Sequence, residues 1–304
     1  MLLTGARGLL GRYVVDAWDD RAGSLVAVGR RHEGRDLDLS RPGDALLLVE
    51  QVQPDVVLHL AGGPRPDVSE LYARNVLTGL QMLEACASSA PAAQVVLVGS
   101  AAEYGGSELP ITEDAPLAPV SEYGRAKAAQ TRVAQAVAAR DGLAVTVLRP
   151  FNVVAADLPS SSALGNLRRQ LLAGQGRQRT VVCGRTDVRR DFVAAADVAG
   201  AMLALAVAPP GGVLNLCSGT GSSVNEVLQA MCRLLDVEVR IEMDPVLAAL
   251  PAGDTVVGDP TRLNGLGLAL DGSPAHIAAA VLGPLSVTLG WCRSQDGSRH
   301  RGEQ

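Results

Sequence analysis

The chain has 304 residues and 47% of them are hydrophobic, enough apolar material to bury a sizeable core and to exclude disorder over most of the length. A net charge of -5 and an aromatic content of 3% exclude nucleic acid as the partner, because nothing draws in a phosphate backbone and little is left to stack on bases. Five scattered cysteines without a CxxC pair (Cys86, Cys183, Cys217, Cys232 and Cys292) suggest neither a disulfide framework nor a metal site, and no apolar run or leader-like N-terminus points to a membrane, so a reducing cytoplasm is the expected compartment.

The first predicted strand, "MLLT" at 1–4, offers only about three residues before a glycine turn, against a usual five or six, so the true start is expected upstream. "SLVAV" (24–28), "DVVLHL" (55–60), "AQVVLVG" (93–99) and "AVTVLR" (144–149) follow as strands, with helical patterns between them at 9–19, 42–52, 67–87 and 121–141. These strands are apolar without alternation, the pattern of a parallel sheet covered by helices on both faces. The expected fold class is therefore α/β, a doubly wound (Rossmann) parallel sheet over residues 1–150. Beyond Pro150 the rhythm loosens into "LPSSSALGN", a helix at 163–174, "RRDFVAAADVAGAMLALA" entering a further helix, and a strand at 212–219 that returns to the sheet. Residues 151–292 read as a smaller, interleaved C-terminal substrate-binding region, and the polar stretch 293–304 as a disordered tail.

"TGARGLLG" places Gly5, Gly8 and Gly11 between the first strand and the first helix. Glycines there permit the tight turn, let backbone amides approach a pyrophosphate and bring the helix close to the sheet, while the helix N-terminus favours the anion. The GxxGxxG spacing is weak by itself, but in its strand-turn-helix context it marks residues 1–150 as an NAD(P)-binding domain. An Asp or Glu closing the second strand would bind a ribose 2'-hydroxyl and repel a 2'-phosphate. Here "VGRR" puts Gly29 in that place, with Arg30 and Arg31 after it and Arg7 on the same side, so NADP(H) is the preferred cofactor and NAD(H) stays open. The competing reading of these arginines is a solvated surface. Asp38 in "DLDLS" and the "LAGG" loop at 60–63 are placed to touch adenine and ribose, whereas His59, inside the third strand, reads as core.

Lys127 is the single lysine in the chain; all the rest of the 27 lysines and arginines are arginine. It falls four residues after Tyr123 on a helical stretch, so the two share a face. With four tyrosines present, chance would produce that spacing about once in 75. An ammonium beside a phenol stabilises the phenolate, and is expected to bring its pKa down from about 10. Lysine offers a compact charge with three donors, able to serve ribose hydroxyls and the phenol together, where a guanidinium is wider and differently aimed. Ser100 in "VLVGSAAEYGG", at the end of the fourth strand, completes the set: it donates to a substrate oxygen while Tyr123 transfers the proton and a nicotinamide carries the hydride. Alone, Ser100 is equally a strand-end cap. Its weight comes from Gly5, Arg30, Gly62, Ser100 and Phe151-Asn152 all following a predicted strand's carboxyl end, the edge at which open α/β sheets bind ligands.

In order, "TGARGLLG", "PDVVLHLAG", "NVLTG", "GSAAEYGG", "ITEDAPLAPVSEYGRAK", "LRPFNV", "RRDFVAAADVAGAM", "LNLCSG" and "LGW" resemble the extended short-chain dehydrogenase/reductases, from Leu2 to about Trp291. These are NAD(P)-dependent nucleotide-sugar epimerases, dehydratases and 4-ketoreductases, and "ITEDAPLAPVSEYGRAKAAQ" and "RRDF" are most similar to the GDP-4-keto-6-deoxy-mannose reductase and dehydratase branch. The resemblance implies that Ser100, Tyr123 and Lys127 are the catalytic triad. It implies cofactor binding by Gly5, Arg7, Gly8, Leu9, Leu10, Gly11, Arg30, Arg31, Asp38, Leu39, Leu60, Ala61, Gly62, Asn75, Tyr123, Lys127, Pro150, Asn152 and Val153, with Asn75 a structural asparagine near the site. It implies a substrate site at Ser100, Ala101, Ala102, Asn152 and Arg190, with Arg190 on a diphosphate, and a homodimer through the helices at 67–87 and 121–141.

Departures from the family pattern bear on the substrate. The dehydratases' glutamate two residues after the catalytic hydroxyl is Ala102 here, which argues against water elimination. Leu250 in "ALPAGDTVVGD" stands where an arginine often grips the diphosphate, a loss on the order of 1.5 to 3 kcal/mol unless another arginine compensates. The segment before Asn75 is also shorter than usual. The expected function is an NADP-preferring carbonyl reductase of a small-molecule ketone, foremost a 4-ketoreductase of a sugar nucleotide. The alternatives are a nucleotide-sugar 4-epimerase, a ketoreductase of a non-nucleotide natural product such as a polyketide, and a non-catalytic NADP(H) sensor, against which the intact Ser, Tyr and Lys set speaks.

Overall fold

A computed structural model describes residues 1–32, 35–249 and 255–284. In chain order the elements are β1 (Leu2–Thr4), α1 (Leu9–Ala17), β2 (Val26–Val28), the two-residue strands β3 (Arg31–His32) and β4 (Arg35–Asp36), α2 (Pro42–Val52), β5 (Val56–His59), α3 (Val68–Tyr72), a π-helical turn (Ala73–Leu77), α4 (Thr78–Ser89), β6 (Gln94–Val98), α5 (Glu122–Asp141), β7 (Val145–Pro150) and β8 (Asn152–Val154). There follow α6 (Ala163–Ala173), β9 (Gln178–Cys183), β10 (Arg189–Ala194), α7 (Ala195–Val207), β11 (Gly212–Leu216), β12 (Gly221–Ser223), α8 (Val224–Leu235), β13 (Glu238–Met243), α9 (Pro245–Ala248), α10 (Thr261–Gly265) and α11 (Pro274–Leu282).

Six strands form one parallel sheet in the order β11-β7-β6-β5-β1-β2, the doubly wound α/β fold expected from the sequence. Its unbroken hydrophobicity has a direct cause, since both faces are covered. Leu2, Val57, Val95, Leu97 and Val147 pack with Leu48 and Val49 of α2, Met82 and Leu83 of α4 and Val137 of α5. On the other face Leu3, Leu58, Val96, Leu148 and Leu214 pack with Val14 of α1 and Val198, Met202 and Leu205 of α7. A fully buried leucine in such a layer contributes about 1.5 to 3 kcal/mol. The chain leaves β1 for β2 on one side and returns to β5 on the other, so the carboxyl edge of β1 and β5 is the crevice where open sheets take ligands.

Beyond Pro150, β11 joins the large sheet, while β12-β10-β8 and β13-β9 make smaller sheets. These lie over a core that includes Leu164, Leu167, Phe192, Val227, Met231 and Ile277. The single helix expected over 67–87 is interrupted by the π turn. Asn75 Nδ2 donates to Leu71 O at 2.8 Å, occupying the carbonyl that its own backbone amide would use in an α-helix. No helix among the described residues is long and apolar enough to cross a membrane. Leu250, Cys292, the "LGW" segment and the stretch 293–304 lie outside the described residues.

Candidate active site

At the crevice between β1 and β5 opens a cleft of about 340 Å³, lined by Gly5, Arg7, Gly8, Gly29, Arg30, Leu37, Asp38, Leu39, Leu60, Ala61, Gly62, Arg65, Arg74 and Thr78. Its deep end is backbone. Gly5 has φ +70°, and a Cβ there would stand 2.7 Å from Ala61 N; a Cβ on Gly11 would run into Gly5 O. Gly8, the N-cap of α1, brings no side chain to the first amides of the helix, which stay available to an anion. A pyrophosphate suits this cradle: it has donors, the positive end of a helix, and space that side chains would fill. Leu9, Leu10 and Gly11 form the first turn of α1 and do not line the cleft.

The outer end carries the charge. Arg7, Arg30, Arg65 and Arg74 line it against one carboxylate, Asp38, which the Ser40 hydroxyl holds below the usual carboxylate range. Arg65 and Arg74 share Glu70, at 3.5 and 2.6 Å. Arg31, expected among the cofactor residues, lies outside the wall. It stands opposite Asp36 in the β3-β4 ribbon and pairs with it at 2.7 Å.

A second cleft, of about 550 Å³, opens at the ends of β6 and β7. Ser100, Ala101, Ala102, Tyr123, Pro150, Asn152 and Arg190 come together in its wall with Phe151, which the sequence placed at this edge, and are joined by Tyr104, Gly105, Gly106, Val120, Ser121 and Val256, which sequence reasoning did not assign. Val153 instead packs against the core under the sheet. Ser100 caps a short 3-10 turn, Ala101–Glu103: its Oγ accepts from Ala102 N at 3.1 Å and its own N donates to Glu103 Oε1 at 2.9 Å. The Ser100 side chain is also near enough to Tyr123 to lower its pKa, so capping and proximity to the phenol coexist.

Helix α5 starts behind Ser121, whose Oγ accepts from Gly124 N at 3.1 Å. It can approach the Ser100 turn because residue 124 has no side chain; a Cβ there would collide with Ala102 O. The signal for Gly124 was a glycine directly after the tyrosine in an otherwise good helix sequence. Lys127, 4% exposed, donates to Val98 O at 2.8 Å and to Gln130 Oε1 at 3.0 Å, and its Nζ lies 6.0 Å from the centre of the Tyr123 ring. The two side chains share a face, but the electrostatics run against expectation. Burial pushes the Tyr123 phenol up to about 12, the Ser100 side chain lowers it, and Glu103 raises it further. Burial also brings Lys127 down to about 8, against the pull of Glu103. Desolvation, which disfavours the charged phenolate, is the largest effect at Tyr123.

Residues 1–217 match the model of the NAD dependent epimerase/dehydratase family. The chain belongs to that family. It is 31% identical over 297 residues to a UDP-glucose 4-epimerase of Azospirillum brasilense, covering 86% of this chain and 82% of the relative. It is 28% identical over 277 residues to the GDP-6-deoxy-D-mannose reductase of Pseudomonas aeruginosa, covering 87% and 89%. Its fold is that of RMD from Pseudomonas aeruginosa complexed with NADPH (TM-score 0.77, 24% identity, 92% and 98% covered) and of the Thermus thermophilus UDP-glucose 4-epimerase in complex with NAD (TM-score 0.77, 23% identity, 92% and 97% covered). The chain is accordingly an NAD(P)-dependent enzyme of the extended short-chain dehydrogenase/reductase type, among nucleotide-sugar epimerases and reductases.

Two polar residues of this epimerase/dehydratase-family chain lie behind the clefts. Asn75 is fully buried and clamps the loop after β5, accepting from Gly63 N and donating to Gly63 O, both at 3.0 Å. His59 is core: it is 1% exposed, its ring bonds Thr4 Oγ1 at 2.9 Å, and burial with the nearby Lys127 charge lowers it to about 3. A third cleft, of about 460 Å³, shares Arg190 with the second and includes Ser160, Asn166, Arg185 and Phe192 in its wall. Arg185 is paired there with Asp187 at 2.7 Å.

Proposed function

We propose that this chain is an NADPH-preferring reductase of a 4-keto sugar nucleotide. The observation that carries the cofactor choice is the charge of the first cleft: Arg7 and Arg30 stand in its wall with one carboxylate, Asp38, while Arg65 and Arg74 are paired with Glu70, and Gly29 leaves the end of β2 without the acid that would repel a 2'-phosphate. Arg7 and Arg30 would hold that phosphate, Gly5, Gly8 and the positive end of α1 the pyrophosphate, and Asp38, Leu39 and the Leu60–Gly62 loop the adenine and ribose. When bound, the nicotinamide would supply the hydride. Tyr123, held protonated at neutral pH, gives its proton to the developing alkoxide while Ser100 donates to the same oxygen, and Lys127 holds the ribose side of the site. Asn152 and Arg190 orient sugar and diphosphate, with the nucleoside in the third cleft. Reduction consumes one proton per carbonyl, so a tyrosine kept in its acid form suits this direction. On this reading residues 1–150 carry the cofactor and 151–292 mainly the substrate, in a cytoplasmic enzyme that dimerises through α4 and α5.

The 31% identity to a UDP-glucose 4-epimerase favours a second reading, in which one carbon is oxidised and reduced again on a retained cofactor. The two are separated by following NADPH absorbance with a GDP-linked 4-keto sugar. The reductase consumes NADPH in step with product, and about tenfold faster than NADH at equal low concentration if the arginines hold the 2'-phosphate. Inversion at C4 of a UDP-linked 4-hydroxy sugar with no net change in NADPH, and no consumption with the ketone, assigns the epimerase. GDP, UDP or TDP should raise the melting temperature of the NADPH-loaded chain, and protection by none of them turns the substrate into a non-nucleotide ketone.

A further inference from the structure

Behind the proposed catalytic set lies a buried acid that the reduction scheme leaves unused. Glu103 is 0% exposed, and its carboxylate reaches three separate elements. Oε1 accepts from Ser100 N at 2.9 Å, fixing the turn at the end of β6. Oε2 accepts from Thr131 Oγ1 at 2.8 Å on α5, one turn beyond Lys127, and from Arg149 Nε at 2.9 Å on β7, just ahead of Pro150 and Asn152. Arg149 is itself buried and donates to Tyr104 OH at 2.6 Å; Tyr104 OH donates to Asn215 Oδ1 at 2.9 Å. Desolvating such an ion pair costs as much as its attraction returns, and apolar residues of the same volume would hold the fold as well. Its stabilising effect is thus small, whereas its bonds reach three elements around the proposed catalytic set.

We propose that Glu103 is a positioning residue for the proton-transfer pair: its carboxylate locks the Ser100 turn, α5 and β7 in one register and sets a fixed negative charge behind Tyr123 and Lys127. The inference rests on Ser100, Tyr123 and Lys127 being the catalytic set. Around Lys127 stand the neutral His59 from β5, the Val98 carbonyl from β6, Tyr123 and Gln130 from α5, Gly62 backed by the Asn75 amide, and Glu103 with Arg149 of β7 bound to it. Among these groups Glu103 supplies the negative charge. It acts in one sense on both partners, favouring the ammonium of Lys127 and the protonated phenol of Tyr123, the pair of states that carbonyl reduction draws on.

Lys127 is the only lysine, so a chain grown on lysine labelled at Cε gives one side-chain resonance, whose pH titration reads this ammonium without substrate or cofactor. The wild-type midpoint is expected at about 8. Glu103→Gln keeps the size and an acceptor for Ser100 N, and is expected to lower the midpoint by about one pH unit, a tenfold smaller ratio of ammonium to amine at a given pH. Glu103→Asp, which retains the charge, is expected to stay near the wild-type value. Should Glu103→Gln strand Arg149 and prevent folding, the double variant Glu103→Gln/Arg149→Met is compared with Arg149→Met, so that the two differ by the carboxylate alone, and the same lowering of the midpoint is expected. An unmoved midpoint in a folded variant overturns the proposal, and so does failure of both variants to fold, which would make Glu103 a residue of the fold alone. A lowered midpoint supports it even if no sugar nucleotide is reduced, and an unmoved one sinks it even if NADPH-dependent reduction is found.

Discussion

At Tyr123, burial lifts the phenol to about 12 and the Ser100 hydroxyl pulls it back, which leaves a proton donor at neutral pH. Tyr123→Phe removes that donor and touches none of the arginines or glycines of the first cleft. Initial rates are expected to fall by about 10²- to 10⁴-fold, while the NADPH dissociation constant from a fluorescence titration stays within about twofold. Unchanged turnover would take Tyr123 out of the reaction. Lys127→Arg asks whether charge alone matters. The guanidinium must enter a site that is 4% exposed, where Nζ already bonds Val98 O and Gln130 and lies beside Gly62. Overpacking of this kind costs about 1 to 3 kcal/mol, so a lower melting temperature and at least tenfold weaker NADPH-dependent turnover are expected. A fully active Lys127→Arg chain would show that the lone lysine is not required for its shape.

Two element ends meet at the clefts through single residues. Helix α5 meets the Ser100 turn only because Gly124 lacks a Cβ, so Gly124→Ala forces helix and turn apart. Displacement by about 1 Å at a reacting centre costs on the order of 100-fold in rate, and kcat is expected to drop by that much while circular dichroism stays that of a folded α/β protein. Near-wild-type kcat would mean that the turn yields without moving Ser100. At the end of β2, Arg30→Ala removes a guanidinium from the outer end of the first cleft. A charge-assisted contact of about 1.5 to 3 kcal/mol predicts an NADPH dissociation constant raised about 10- to 100-fold with NADH binding unchanged; equal losses for both cofactors would place Arg30 away from a 2'-phosphate. Both helix and strand were legible as elements, because their apolar periods are local. The contacts at their ends were not, because Ala102 and Gly124, or Arg31 and Asp36, meet only after the chain has turned.

Over the whole molecule, His59 joins the sheet core to acid stability. Its folded pKa of about 3 lies below the 6.5 of an exposed histidine. Between those values the unfolded chain binds the extra proton, so stability falls as pH falls from about 6.5 toward 3, by about 5 kcal/mol in all. His59→Gln, still able to bond Thr4, should flatten that limb in urea melts compared at pH 7 and pH 4; an equally steep limb would assign acid unfolding to other groups. The order of apolar runs and the glycine turn were enough, by themselves, to determine the doubly wound sheet, and the ordered motifs from "TGARGLLG" to "LNLCSG" were enough for the family. Each of these is written in neighbouring residues and needs no knowledge of what packs on them. Tertiary structure alone decided that Tyr123 is a weaker acid than free tyrosine, that Asn75 bends its helix into a π turn, and that Glu103 binds three elements of the site. Desolvation and buried hydrogen bonds between distant segments exist only once water has been excluded, and no local pattern records them.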